Sequence, residues 1–85
     1  MMRYYFDLRD GDDLAPDEEG IELRSMERVQ QEAAKTLADM VRDAVLEHLR
    51  PEGRARRMAI EVRTEYGPVL QARFSLEMGG ARLHS

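Results

Sequence analysis

Arg3-Tyr4-Tyr5-Phe6-Asp7-Leu8-Arg9-Asp10-Gly11 is the stretch on which the fold turns. Tyr4, Phe6 and Leu8 alternate with Arg3, Tyr5, Asp7 and Arg9, and this aromatic-rich period of two is the pattern of a half-buried strand. Asp10-Gly11 reads as a hairpin-type turn, because glycine tolerates positive φ and Asp can hydrogen-bond its own backbone. From Asp12 to Glu19 the chain is polar and broken by Pro16, which predicts an irregular, solvated loop. Gly20-Ile21-Glu22-Leu23 predicts a short second strand, antiparallel to the first, with Ile21 and Leu23 on one face.

A helical pattern follows. Ser25 is placed to cap it, with Glu27 in the first turn where the helix dipole favours an anion; Arg28 stands where a capping box would need glutamate. Met26, Val29, Ala33, Leu37, Met40, Val41 and Ala44 form one apolar stripe at about 100° per residue. Arg28–Glu32 and Lys35–Asp39 are spaced for ion pairs on the opposite side. The helix is expected to end near Leu49, because Pro51 disfavours helical geometry at Arg50 and Gly53 follows. Arg54 to Arg57 reads as a basic linker. Met58, Ile60 and Val62 then alternate as a third strand, Glu65-Tyr66-Gly67-Pro68 turns, and Leu70, Ala72, Phe74, Leu76 and Met78 alternate as a fourth. The fold class is α+β: two β-hairpins flanking one long helix (ββαββ), the helix packed on a four-stranded, mostly antiparallel sheet. Residues 1–78 form a single domain, and 79–85 a flexible tail.

Eighty-five residues suit one domain, and a chain this small has a thin stability margin. Disulfides, metals or partner chains commonly supplement such a core. The absence of cysteine excludes disulfides and thiolate metal sites, and His48 and His84 are the only histidines, so a partner chain is the support left open. No apolar run approaches a signal peptide or the roughly 20 residues of a membrane span, and the cytoplasm is the expected location by elimination.

The opening Arg3-Tyr4-Tyr5-Phe6-Asp7-Leu8, the Asp10-Gly11 turn and Asp17-Glu18-Glu19-Gly20-Ile21-Glu22-Leu23 resemble a family of small bacterial proteins, mostly alphaproteobacterial, grouped as a domain of unknown function. Ala59-Ile60-Glu61-Val62-Arg63 and Leu70 to Phe74 extend the resemblance over nearly the whole chain, while the Arg50–Arg57 link is longer and more basic than the family pattern. The resemblance implies the fold outline and no activity. A looser likeness, in outline alone, is to small antitoxins of the HicB kind.

Asp7, Asp10, Asp12, Asp13, Asp17, Glu18, Glu19 and Glu22 make an acidic run opposed only by Arg9. Carboxylates suit Ca²⁺ and Mg²⁺, but counting an EF-hand from Asp10 puts Leu14 at the third ligand position and Ala15 where glycine is required. Starting from Asp12 or Asp13 fails as well, so a solvated acidic turn is expected and no metal or cofactor. A flexible polar loop also gives no burial to separate the pKa values of an acid/base pair. His48, near the helix C-terminus, lacks an orienting partner in sequence and reads as a helix-end histidine.

Arg50, Arg54, Arg56 and Arg57 form a basic cluster of the kind phosphates attract, set against a formal net charge of −4. Tyr5 is expected on the exposed sheet face with Arg3, Arg63 and Arg73. Leu46 and Leu49 fall off the apolar stripe and are candidates for a partner contact. The candidate interaction residues are thus Leu46, Leu49, Tyr5, Arg54, Arg56 and Arg57. The expected function is a non-enzymatic protein-interaction module, homodimeric, with nucleic acid and membrane not expected as partners. The alternative is a small regulatory nucleic-acid-binding or antitoxin-like protein. The two separate on whether the arginines scatter or gather with Tyr5 on one face.

Overall fold

A computed structural model describes residues 1–48 and 56–76. Strand β1 runs Met2–Asp10, β2 Asp13–Ala15, β3 Ile21–Leu23, helix α1 Met26–His48, β4 Arg56–Thr64 and β5 Gly67–Leu76. The sheet is antiparallel with the order β2-β1-β4-β5, and β3 also pairs with β1. The α+β class stands as expected; among the described residues there is one helix, and the sheet has five strands rather than four. The extra strand comes from the segment expected to be loop. Gly11, at φ +64°, takes the first central position of a tight turn, and Asp13–Ala15 then zips onto Leu8–Asp10. Pro16 ends that pairing, and Ile21–Leu23 resumes it against Met2–Tyr4. One returning strand is therefore split in two.

Two boundaries also move. Arg56 and Arg57, read as linker, open β4, because β5 is long enough to pair them with Leu76 and Ser75. The turn is confined to Glu65 and Tyr66, so Pro68 lies inside β5, where an edge strand tolerates its missing N–H.

Helix α1 starts as read: Ser25 Oγ accepts the N–H of Arg28 at 3.2 Å, closing a donor the helix itself cannot satisfy. Arg42 pairs with Asp39 at 3.7 Å in place of the expected Lys35–Asp39 pair. Val29, Ala33 and Ala44 of the stripe are buried and Leu37, Met40 and Val41 half-buried, while Met26 is exposed at the helix start. Val29, Ala33, Leu37 and Met40 pack with Tyr4 and Phe6 of β1 and Ile60 and Val62 of β4. Ile60, Val29 and Val62 are the largest fully buried side chains. Among the described residues no helix is long and apolar enough to cross a membrane.

Candidate functional site

The outward face of the sheet, away from α1, carries the charged residues. Between the stretches paired by β3 and β2, β1 has a gap at Tyr5–Asp7 along that edge. Asp17 fills it. Its Oδ2 accepts the backbone N–H of Phe6 at 3.1 Å, and its own N–H donates to Asp7 Oδ1 at 2.9 Å. Asp17 Oδ1 also accepts the N–H groups of Glu19 and Gly20, both at 3.1 Å, which folds the loop into an Asx-type turn. Burial opposes the charged form of Asp17; the N–H groups of Phe6, Gly20 and Glu19 and the charge of Arg63 outweigh it and hold the carboxyl below its ordinary value.

Arg63 ties this clasp to β4. Its Nε donates to Asp7 Oδ2 at 2.9 Å, a terminal nitrogen donates to the Asp17 carbonyl at 3.1 Å, and the guanidinium lies 4.6 Å from the Tyr5 ring centroid. The hydrogen bond to Asp7 is the main reason its pKa is raised. Asp7 itself is buried at 7% exposure, the sort of carboxylate that requires such partners. Asp7 and Asp17 are thus committed to architecture. Among the described residues no group of three or more Asp, Glu, His or Cys side chains is placed to hold a metal ion.

Five arginines gather on one face, while Arg24, Arg28 and Arg42 lie elsewhere. Strand registers set Arg3, Arg9, Arg57, Arg63 and Arg73 on the outward face with Tyr5. Arg3 pairs with Glu22 at 3.5 Å, Arg9 with Glu61 at 3.0 Å and Arg63 with Asp7. Arg57 and Arg73 are exposed and make no ion pair among the described residues.

The opposite face holds an apolar groove of about 500 Å³ between α1 and β5. Ala34, Leu37, Ala38 and Val41 form one wall, and Leu70, Ala72 and Phe74 the other. Its origin is a mismatch of widths. A helix is roughly 10 Å across and strands lie about 4.8 Å apart, so one helix covers about two strands of a sheet this wide. Helix α1 covers the sheet's middle and leaves the inner face of β5 half-covered, with Leu70, Ala72 and Phe74 all partly exposed. Strand β5 ends the sheet, so its outer backbone edge has no neighbouring strand among the described residues.

Of the interaction residues read from sequence, Tyr5 is half-buried under Arg63 and Arg57 is exposed on the outward face. Leu46 is exposed at 60% and lies on α1 about 140° round the helix from Val41 at 100° per residue, so it takes no part in the groove. Arg56 opens β4, and His48 closes α1. Leu49, Arg50, Arg54 and the tail from residue 77 lie outside the described residues. The groove itself was missed; setting the width of one helix against that of four strands would have found it.

The model of a family described as Domain of unknown function (DUF6894) matches residues 3–75. No curated protein and no solved structure matches the chain.

Proposed function

The chain belongs to the DUF6894 family, and we propose that it works as a non-enzymatic protein-interaction module that associates with a second copy of itself along β5. The observation that carries this reading is the meeting of two unfinished surfaces on one element. The inner face of β5 presents Leu70, Ala72 and Phe74 beside an alanine-lined flank of α1, and its outer backbone edge has no strand neighbour among the described residues. A β5 strand from another copy, added antiparallel, satisfies that edge and brings a second α1 alongside the first, closing both grooves at once. Pro68 blocks pairing only near the turn, and Gln71–Ser75 carries neither proline nor acid. The symmetric arrangement uses the same patch twice, as two-fold dimers do.

Light scattering coupled to size exclusion at tens of micromolar tests it: the expected mass is about twice the 9.8 kDa of one chain. A monomer mass under those conditions overturns the reading.

A second reading, a small regulatory nucleic-acid-binding protein, is favoured by one observation: Arg3, Arg9, Arg57, Arg63 and Arg73 share the outward face with Tyr5, while Arg50 and Arg54 of the basic cluster lie outside the described residues. Against it, Arg3, Arg9 and Arg63 already answer carboxylates, and the chain is acidic overall. Filter binding distinguishes the cases, since a purely electrostatic contact fades steeply with salt.

A further inference from the structure

We infer that the outward face holds a site for a single phosphate group, free or on a small phosphomonoester, in a dish floored by Ala59 and walled by Arg9, Arg57 and Arg73. The inference is independent of the self-association along β5.

The strand registers build the dish. Ala59 pairs with Arg9 of β1 on one side and Arg73 of β5 on the other, so two arginines flank a methyl group. Arg57, two positions earlier on β4, points to the same face across from Ser75. Ala59 is 5% exposed, and the space above it is a concavity of about 580 Å³ that also touches Gly11 and Ser75. With strands about 4.8 Å apart, Arg9 and Arg73 emerge roughly 10 Å from each other. That span admits one tetrahedral oxyanion with a guanidinium hydrogen bond on each side. A larger residue than alanine on the floor would fill the space.

Charge favours an anion there. Among the described residues Glu61 is the carboxylate on this part of the face, and it is engaged by Arg9 Nε at 3.0 Å and by the Gln71 amide at 3.3 Å. Arg57 and Arg73 have no carboxylate partner among the described residues, although each stands diagonally across the sheet from another cation. Like charges so placed repel. A bound dianion reverses the sign of that interaction, and arginine forks fit phosphate oxygens in pairs.

The surroundings set the size of the ligand. In the row next to Ala59, Glu61 stands directly beside Asp7, and the acidic turn residues Asp12 and Asp13 adjoin Gly11. The positive region is therefore one phosphate wide, and a polyanion running through it would meet carboxylates on both sides. This separates the site from a nucleic-acid surface, which extends its basic face along the backbone.

Calorimetry on the full chain at fixed ionic strength tests the site, with inorganic phosphate, glycerol phosphate and a short single-stranded oligonucleotide as probes. Saturable phosphate binding with one site per chain is expected, weakened about tenfold or more by Arg73→Lys, which keeps the charge and loses the fork. Arg57→Gln is expected to weaken it likewise, and Arg42→Gln on the exposed side of α1 to leave it unchanged. Tighter binding of glycerol phosphate than of phosphate identifies a phosphomonoester as the ligand; equal binding identifies the free ion. No saturable heat with either probe overturns the inference, as does binding that survives Arg57→Gln combined with Arg73→Lys. Oligonucleotide binding without phosphate binding overturns it in favour of a nucleic-acid surface. Circular dichroism on each variant separates lost binding from lost fold, and the mass by light scattering reports on self-association separately.

Discussion

The Asp17 carboxylate accepts the backbone N–H of Phe6 at 3.1 Å, at the one stretch of β1 that neither β2 nor β3 reaches. A side chain there stands in for a strand. It lets the returning chain leave β1 at Ala15, turn through Gly20 and rejoin at Ile21 without stranding a donor. Asp17→Ala is expected to destabilise the fold by about 1–2 kcal/mol, the range for losing the partner of a partly buried amide. Asp17→Asn, which keeps an acceptor oxygen, is expected to cost less. Urea unfolding of the two variants checks the order, and equal costs would mean the carboxylate's charge matters more than its hydrogen bond.

The same carboxylate shapes the acid limb of stability. Its pKa is lower folded than unfolded, so the unfolded chain binds more protons as pH falls, and stability declines in that direction. The contribution is complete above the unfolded value of about 4 and is lost as pH drops through the folded value. Thermal midpoints measured from pH 6 down to pH 2 are expected to fall less steeply below pH 4 in Asp17→Asn than in the parent. Parallel curves would assign the acid limb to other carboxylates.

Gly20 is the tightest point of the clasp. Its φ is +74°, and a Cβ there would come within 2.9 Å of the Arg3 side chain and 3.0 Å of both the Tyr4 carbonyl and the Tyr5 ring. Strained backbone and overpacking act together, so Gly20→Ala is expected to cost roughly 1–3 kcal/mol. Gly11, at φ +64°, has open space around its missing Cβ, and Gly11→Ala carries the backbone term alone. Chemical denaturation of the two variants is expected to rank Gly20→Ala as the more harmful.

These contacts also mark where reading the sequence succeeds and stops. Helix α1 was legible because its apolar residues repeat at helical spacing and Ser25 stands where a cap belongs. Strand β1 was legible from alternation alone. The short strand β2 was not, because Asp13-Leu14-Ala15 is exposed throughout and owes its form to a neighbour rather than to its own pattern. Asp17 was hidden among other acids. An aspartate three residues before a glycine carries an Asx-turn signal, yet the backbone it would serve on β1 is eleven residues away and chosen by the fold. Asp7 sits at an outward position and is buried only because the loop and Arg63 close over it. The gathering of Arg9, Arg57 and Arg73 depends on strand order, which alternation leaves open.

Two surfaces compete as the route of self-association, and they are separable by substitution. Phe74 lies in the wall of the groove on β5, the last strand of the sheet among the described residues, while Leu46 stands exposed on another face of α1. If copies join through β5, Phe74→Glu puts a charge into the apolar contact, and Ser75→Pro removes a backbone donor within the strand. Either is expected to bring the mass from about twice 9.8 kDa to the monomer value, with Leu46→Glu leaving the dimer intact. Phe74 is only half-buried in the single chain, so its replacement is expected to spare the fold more than a change at Ile60 would. Hydrogen exchange provides a second readout: amides of Gln71–Ser75 are expected to gain protection as protein concentration rises. A dimer that dissociates with Leu46→Glu and persists with Phe74→Glu would place the contact at the helix end and discard the strand-edge route.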